Sequence, residues 1–593
     1  MSTKTFKGKF NLIREAFNGY QLRIFLLSVL GIVGGIFEGV GINVLVPIIS
    51  LVTKEERGID FITTNIEKAF AFLKLEFSLT NLLILVFILF FLKAVIKVVF
   101  NYIKIKISTE YEQNVGTKLL SRTLQAHWQY LSGQKIGHLQ NTIMTDVHFG
   151  ALTLEFIGTI IMILSSLFVY FFIAVNISGK VTLLALAFGL LLFFVTRPFM
   201  EISRKLSFQT AILNKRVSHF INESILGIKS IKALSVGEKI LDKGILYFKE
   251  LRRLRIRTNV LRSNTNAFIE PAGLFFIMII FAFLYKGGSF SLSSFVVIMY
   301  LIERIFTYTN QLQTTVHKIY GSLPYLEHVI AYEKENEASE EKDTGTKDFS
   351  FTKNLHFENV SFSYKKERPV LNSINLSIKK GEMVGIIGPS GVGKTTLVDL
   401  LLRLLCPTEG KILVDEESIE KFSLKEWRKN VGYISQEPFL INGSVKENIR
   451  FFDETITEKD VYDAAQKAHI KEAIEKMSGK FETLVGERGV ELSAGQRQRI
   501  AIARVLARHP EVLILDEATS ALDNESELYI QKALDELRGT ITIVAIAHRL
   551  STIMNCDKVI SFYDGKVLEE GTPKELVDVK ESYLYKMLHI KDG

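Results

Sequence analysis

Cysteine is nearly missing. The chain carries two, Cys406 and Cys556, so no disulfide framework braces it, and a reducing compartment suits it. Missing too is any single basic tract: the formal net charge of +8 is small and scattered, which argues against a nucleic-acid binder. Residues 1–20 lack the basic, then apolar, then small-residue pattern of a cleaved signal peptide, so none is expected.

Present instead is a division. Up to about residue 315 the apolar runs are long, and beyond it the chain reads as a soluble α/β protein. Crossing the hydrocarbon core takes roughly 20 mostly apolar residues. Six stretches approach that: Leu22–Leu51, Leu82–Ile105, Leu154–Ile177, Val181–Pro198, Phe268–Tyr285 and Leu292–Tyr308. The intervals 106–153 and 199–267 are long, polar, helical in composition and poor in proline. With an even number of spans and the soluble part in the cytosol, both intervals face the cytosol as extended helical hairpins. Basic residues such as Arg252, Arg253, Arg255 and Arg257 fall there. The expected fold is an all-α six-helix transmembrane domain over residues 1–330, a polar linker over 331–350, and an α/β P-loop nucleotide-binding domain over 351–593. The linker is read from Glu333, Glu335, Glu337, Glu340, Glu341 and Lys342.

Several ionisable residues fall within the spans: Glu38, Lys93, Lys97, Glu155, Glu270, Glu303 and Arg304. Each costs at least ~2.5 kcal/mol near the bilayer centre if it faces lipid, so each needs a partner or a wet cavity. Two readings stand. Glu38 pairs internally, for example with Lys93, and fixes helix packing; or Glu38, Lys93, Lys97 and Arg304 line a substrate path. Lys93 and Lys97 are four residues apart and share a helix face. Glu155 and Glu303 lie nearer the inner ends, where solvent reaches them. Between the first two spans, Ile62, Ile66, Phe70 and Leu73 recur at helical spacing among polar residues. That segment, 61–73, either caps the outer ends of spans or lies in the outer interface beside a lipid-like substrate.

The C-terminal part carries the sharper chemistry. Gly388, Pro389, Ser390, Gly391, Val392, Gly393, Lys394 and Thr395 follow the apolar run Met383–Ile387 and precede the helical run Thr396–Leu405. This is P-loop spacing in P-loop context. Glycines let backbone N–H groups converge on phosphate oxygens, the helix N-terminus favours negative charge, and Lys394 supplies a point charge to the β/γ-phosphates. Thr395 presents a hydroxyl to Mg²⁺. Further on, the apolar strand 512–515 ends in Asp516 and Glu517. Asp516 is placed to hold Mg²⁺ and Glu517 to orient and polarise an attacking water.

Between those motifs lies Leu492-Ser493-Ala494-Gly495-Gln496, followed by Arg497 and Arg499. This half resembles the nucleotide-binding domain of ABC transporters, with Ala494 where the signature motif usually has its first glycine. The resemblance implies further roles, residue by residue. Tyr364 stacks on adenine, and Thr396 extends the phosphate loop. Gln436 is the Q-loop glutamine, reaching Mg²⁺ and sensing the membrane half. Asp523 belongs to the D-loop, and His548 is the switch histidine that contacts the γ-phosphate. Ser493, Gly495 and Gln496 contact the nucleotide of another copy. The segment Thr483–Gly489 looks like the one that, in exporters, touches the helical hairpins.

In that family the signature of one nucleotide domain closes over the P-loop of another, and this chain has one of each. The resemblance therefore implies a half-transporter that works as a homodimer or a heterodimer, an ATPase using ATP and Mg²⁺, with helices around Tyr130 and Phe220–Gly227 carrying the coupling. Membrane part first and ATP domain fused is the exporter arrangement, in a bacterial cytoplasmic membrane. The first span, with Phe37, Glu38, Gly39, Gly41, Val46 and Pro47, is similar to that of bacterial flippases for lipid-linked oligosaccharides. There, Lys93, Lys97 and Arg304 would receive a pyrophosphate headgroup. A peptide or drug exporter has the same architecture, and an ATP-gated channel or regulatory subunit is the reading of a different class.

Overall fold

The computed structural model describes residues 13–53, 61–134, 136–177, 179–286, 292–365, 368–518 and 522–589. The chain divides into two compact units. One holds residues 1–126 and 133–340, the other 127–132 and 341–593.

The first unit is helical: Gln21–Asn43, Leu79–Leu124, Val147–Ile177, Gly179–Leu226, Gly237–Lys286 and Leu292–Ala338 are its long elements. Among the described residues, three helical stretches are long and apolar enough to cross a membrane, Asn18–Thr53, Leu79–Leu124 and Leu139–Asn176, with Pro271–Ala282 a shorter apolar helix. The expected count of six spans is thus met by three among those residues. The fourth and fifth expected spans lie on helices many of whose side chains fall outside the described set.

The helices overshoot the expected spans. The 46-residue Leu79–Leu124 is roughly 70 Å long at 1.5 Å per residue, more than twice the hydrocarbon core. Its continuation past residue 105, together with the helix from Val147, makes the first long hairpin, and Gly179–Leu226 with Gly237–Lys286 makes the second. The latter pair packs through Leu213, Val217 and Leu251. Short helices Trp128–Gly133 and Ile228–Ala233 lie at the turns. Tyr130 is in the first of these. The segment Phe220–Gly227 finishes the long helix, with Gly227 as N-cap of the second short one.

The linker also begins later than expected. The helix from Leu292 runs to Ala338, carrying Glu333, Glu335 and Glu337. Its polar surface hides one inward face. Tyr332 and Asn336 are buried, Tyr332 shares a 2.7 Å hydrogen bond with Thr123, and Arg122 pairs with Glu333 and Glu337. A polar sequence extends a helix when a neighbouring helix supplies partners.

Helix Phe61–Phe72 buries Ile66 and Phe70 against Val44 and Leu82, so it caps the ends of its own spans. It leaves Phe72 and Leu73 exposed. Gln21–Asn43 approaches Val147–Ile177 along Gly31, Gly35 and Gly39, four residues apart and on one face. A Cβ on Gly35 would sit 3.1 Å from Val169 Cγ2 and 3.5 Å from the Ser165 carbonyl, and one on Gly39 would sit 2.2 Å from Ile173 Cδ1. No large side chain fits there.

The second unit holds two sheets. Strands β1 (Asn354–Lys365), β2 (Arg368–Lys379), β4 (Glu409–Val414) and β5 (Glu417–Ser418) form an antiparallel sheet in the order β2-β1-β4-β5, which the reading of a parallel core alone had not anticipated. The second sheet runs β10 (Lys566–Gly571), β9 (Lys558–Tyr563), β3 (Met383–Ile387), β8 (Thr542–Ile546), β7 (Val512–Asp516), β6 (Val431–Ile434). Here β9, β3, β8, β7 and β6 pair in parallel. Their apolar side chains, fully buried in β3 and β8, match a sheet covered on both faces. Parallel pairing gathers the segments that follow each strand's C-terminus at one edge, where ligands bind in such sheets. Below the loop after β3, Trp427 is fully buried and donates from Nε1 to the Leu401 carbonyl at 2.9 Å, anchoring the end of helix Lys394–Leu401.

Gly35→Leu is expected to overpack the contact with Val147–Ile177 and cost about 1–3 kcal/mol. A melting temperature of the detergent-solubilised chain equal to the parent's would contradict that packing.

Candidate functional site

The edge of the parallel sheet brings four strand ends together. After β3 comes the loop 388–393, closed by Lys394 at the start of its helix. Gly391 and Gly393 have φ of +83° and +104°, where side chains are disfavoured, and Gly388 has φ of +148°. A Cβ at Gly388 would also meet the Phe562 carbonyl oxygen at 2.3 Å. Such a loop turns its N–H groups toward one point, a shape that receives anions. Lys394 is buried. Its ammonium donates to the carbonyls of Gly388 at 2.7 Å and Pro389 at 3.0 Å. Burial draws it below the usual lysine range, opposed by the charges of Glu517 and Asp516. Ser390 and Thr395 are exposed at the loop, while Val392 packs against the core beneath it.

Asp516 ends β7, next in the sheet to β8. Burial raises its carboxyl above the usual range, with the Tyr433 hydroxyl, 3.3 Å from Oδ2, holding it down in part. Glu517 follows with φ of +50°, a left-handed conformation that costs a non-glycine residue of order 1–3 kcal/mol. That turn brings its Oε1 to 2.9 Å from His548 Nε2. Its backbone N–H meanwhile donates to Ile546, the last residue of β8, at 3.2 Å. Gln436 follows β6 and is exposed. The Tyr364 hydroxyl shares a 3.3 Å hydrogen bond with Thr396, and its ring stands edge-on to Phe362 at 4.9 Å.

Ser493, Gly495 and Gln496 open helix Ala494–Leu506. Ser493 caps it, accepting from the Gln496 N–H at 3.2 Å, while Gln496 accepts from the Ser493 N–H at 2.9 Å. The two glycine positions of the signature differ here. Ala494 is exposed, so its methyl meets solvent. A Cβ on Gly495 would fall 2.5 Å from Ser526 Cβ, inside the neighbouring helix Asn524–Leu537. Asp523 caps that helix through the Ser526 N–H.

Three participants escaped the sequence reading. Tyr433 touches Asp516 from β6. Asp399, one turn beyond Thr395, has its carboxyl pushed up to about 6 by burial and then by the charge of Asp516. Arg549, next to His548, pairs with the buried Glu527, which also accepts from Ser551, and donates to the Leu522 carbonyl at 2.5 Å. Only Tyr433 carried a hint, its place three residues before Gln436.

Mg²⁺ suits the donors present. Thr395, Asp516 and Gln436 offer hard oxygens. Among the described residues no group of three or more His, Cys, Asp or Glu gathers.

Within the helical unit, Glu38 is 1 % exposed and lies 2.5 Å from Lys93 Nζ and 4.0 Å from Arg304 Nε. With Lys97 they line a cavity of about 250 Å³ that also touches Gly34, Gly35, Ser166 and Tyr308. Glu38 thus pairs with Lys93, as the packing reading expected, and the same cluster faces a cavity. Glu303 is exposed and accepts from Thr307 at 2.9 Å. Glu155 is half-buried. Glu270 lies outside the described side chains.

Residues 371–520 match the ABC transporter family, and residues 24–314 match the ABC transporter transmembrane region. The chain is 30% identical to the heterocyst differentiation ATP-binding protein HepA of Nostoc sp., over 96% of this chain and 94% of that one. It is 31% identical to the ATP-dependent lipid A-core flippase of Desulfotalea psychrophila, over 86% and 90%. A bacterial Atm1-family ABC exporter with ATP bound superposes with a TM-score of 0.78 at 20% identity, covering 97% of this chain and 100% of that one.

Two outcomes follow for this unit. Ala494→Gly is expected to change ATP turnover less than about twofold, and Gly495→Ala to lower it more than about tenfold, because only the second methyl enters a neighbouring helix. The reverse order would contradict that packing. Asp399 has a folded pKa raised from 3.8 to about 6, so its cost is absent near pH 4 and complete above about 6. Asp399→Asn should then stabilise the fold at pH 8 by on the order of 1 kcal/mol after solvent screening, read as a higher melting temperature. The gain should fade as pH drops through that window; a pH-independent difference would contradict it.

Proposed function

The chain belongs to the ABC transporter family, as an exporter with its transmembrane and ATP-binding regions fused, and from that premise we propose that two copies hydrolyse ATP to move an amphipathic or lipid-linked substrate outward across a bacterial cytoplasmic membrane. The reading places six spans in each copy, on the six long helices. The observation that carries the ATP chemistry is the convergence of Lys394, Asp516, Glu517 and His548 from three strand ends on one edge.

Lys394 exchanges the Gly388 and Pro389 carbonyls for the β/γ-phosphate oxygens, while the loop's N–H groups hold the phosphates in place. Tyr364 stacks on the adenine. Thr395, Asp516 and Gln436 would hold Mg²⁺, which supplies charge neutralisation to the phosphates when bound. Glu517 orients and polarises the attacking water, and His548, 2.9 Å from it, fixes that carboxylate and contacts the γ-phosphate. Ser493, Gly495 and Gln496 of a second copy close over the nucleotide. Closure draws the helical hairpins together and turns the membrane cavity outward, and hydrolysis resets it.

For the substrate, support comes from relatives named as lipid A-core flippases and from a cavity lined by Lys93, Lys97 and Arg304. Those charges suit a substrate that joins an anionic headgroup to an apolar tail.

Glu517→Gln is expected to lower turnover by at least about a hundredfold while ATP binding persists. Hydrolysis at the parental rate would remove Glu517 from this role. Lipid-linked oligosaccharides, peptides and amphipathic drugs, compared side by side in lipid bilayers, identify the substrate class by which of them stimulates hydrolysis. No stimulation by any amphiphile would overturn the substrate reading.

A further inference from the structure

A buried carboxylate inside a membrane span needs a reason, and Glu38 has more cations than it needs. Lys93 Nζ approaches its Oε1 to 2.5 Å, Arg304 Nε stands 4.0 Å from the same oxygen, and the Tyr308 hydroxyl donates to Oε2 at 3.4 Å. Arg304 is itself steadied, its Nε donating to the Tyr300 hydroxyl at 2.8 Å. Lys97 sits one turn from Lys93, lines the same cavity, and makes no ion pair among the described residues. Two cations, Lys93 and Arg304, therefore share this carboxylate, Arg304 standing also 3.9 Å from Glu303 Oε2, and with Lys97 the cavity lining carries three cations to the one carboxylate of Glu38. The carboxylate is sealed off, 1 % exposed, while the cations remain partly open to the cavity.

We propose that Glu38 is an internal stand-in for a substrate phosphate: it occupies Lys93 and Arg304 until a phosphate-bearing group enters beside Lys97 and takes its place. The chemistry favours exchange over simple addition. Separating Lys93 from Glu38 with nothing in return leaves a buried carboxylate with only Arg304 at 4.0 Å and the Tyr308 hydroxyl, which is unfavourable. A phosphate returns an anion to Lys93 and, with more than one charged oxygen, also satisfies Arg304 and Lys97. The displaced carboxylate keeps the Tyr308 hydroxyl as donor. The cavity's ligand in this conformation is thus part of its own wall, and Glu38 sets how tightly an anion must bind to enter. The inference deepens the reading of the chain as an exporter of an amphiphile, and rests on it.

The test uses the full-length chain in phosphatidylcholine nanodiscs, with equilibrium binding of fluorescent phosphatidic acid as readout. Fluorescent diacylglycerol and inorganic phosphate serve as the uncharged and the lipid-free probes. Glu38→Gln should bind phosphatidic acid about tenfold more tightly than the parent, with no gain for diacylglycerol. A gain for inorganic phosphate alone supports the same exchange and assigns the anion a soluble carrier. Parental or weaker binding of both phosphates by Glu38→Gln, in protein that still binds ATP, would overturn the proposal and leave Glu38 as a packing brace. Should Glu38→Gln fail to fold, Lys97→Gln decides: it breaks no ion pair, so several-fold weaker phosphate binding supports the seat and unchanged binding overturns it. The two readings separate cleanly. Amphiphile-stimulated hydrolysis with no effect of Glu38→Gln sinks this inference alone. A binding gain with no stimulation by any amphiphile sinks the reading of an amphiphile as the pumped substrate alone.

Discussion

A cation taken out of water must be given oxygen to face, and both units of this chain are organised around meeting that need from within. In the ATP-binding unit Lys394 is buried and turns to the carbonyls of its own loop. In the helical unit Lys93 turns to the buried Glu38. For Lys394 the attraction is strong because the ammonium is buried; for Lys93, itself partly exposed, the cost of breaking the pair falls on the buried Glu38 carboxylate. Each internal partner is also the kind of group that a phosphate can replace.

The rest of the ATP site follows from sheet topology. Parallel pairing of β3, β8, β7 and β6 lines up the ends that carry Lys394, His548, Asp516 with Glu517, and Gln436. The left-handed turn at Glu517 then brings its carboxylate to His548. Helix Ala494–Leu506 contributes differently. Its cap is self-satisfied through Ser493 and Gln496, and its exposed start carries the methyl of Ala494 where solvent meets it.

The phosphate loop was legible in the sequence because its chemistry demands glycines and a lysine at fixed spacing along contiguous chain, and the Asp516–Glu517 pair because it ends an apolar strand. Tyr433, Asp399 and Arg549 were not, since the groups they answer to are brought near by folding rather than by spacing. The linker was misjudged for a related reason. Glu333, Glu335 and Glu337 read as solvated, yet the helix persists because Thr123 and Arg122 from another helix partner it. The antiparallel sheet escaped because its strands are interrupted by the P-loop strand and helix in chain order. In the membrane half, the charges were legible as a set that needed partners, and the structure gives the partnership: Glu38 with Lys93, Tyr308 and Arg304 around a cavity.

That one chain holds only half of each catalytic site is tested most directly by complementation. A Lys394→Ala chain lacks a working phosphate loop, and a Ser493→Arg chain blocks the signature helix. Each alone should be inactive. Co-assembled in one membrane, they form mixed dimers in which one site joins the intact loop of the second chain to the intact signature of the first. Recovery of ATP hydrolysis, toward about half the parental rate in tagged and purified mixed dimers, is the predicted result. Mixed dimers as inactive as either parent variant would contradict a site shared between copies.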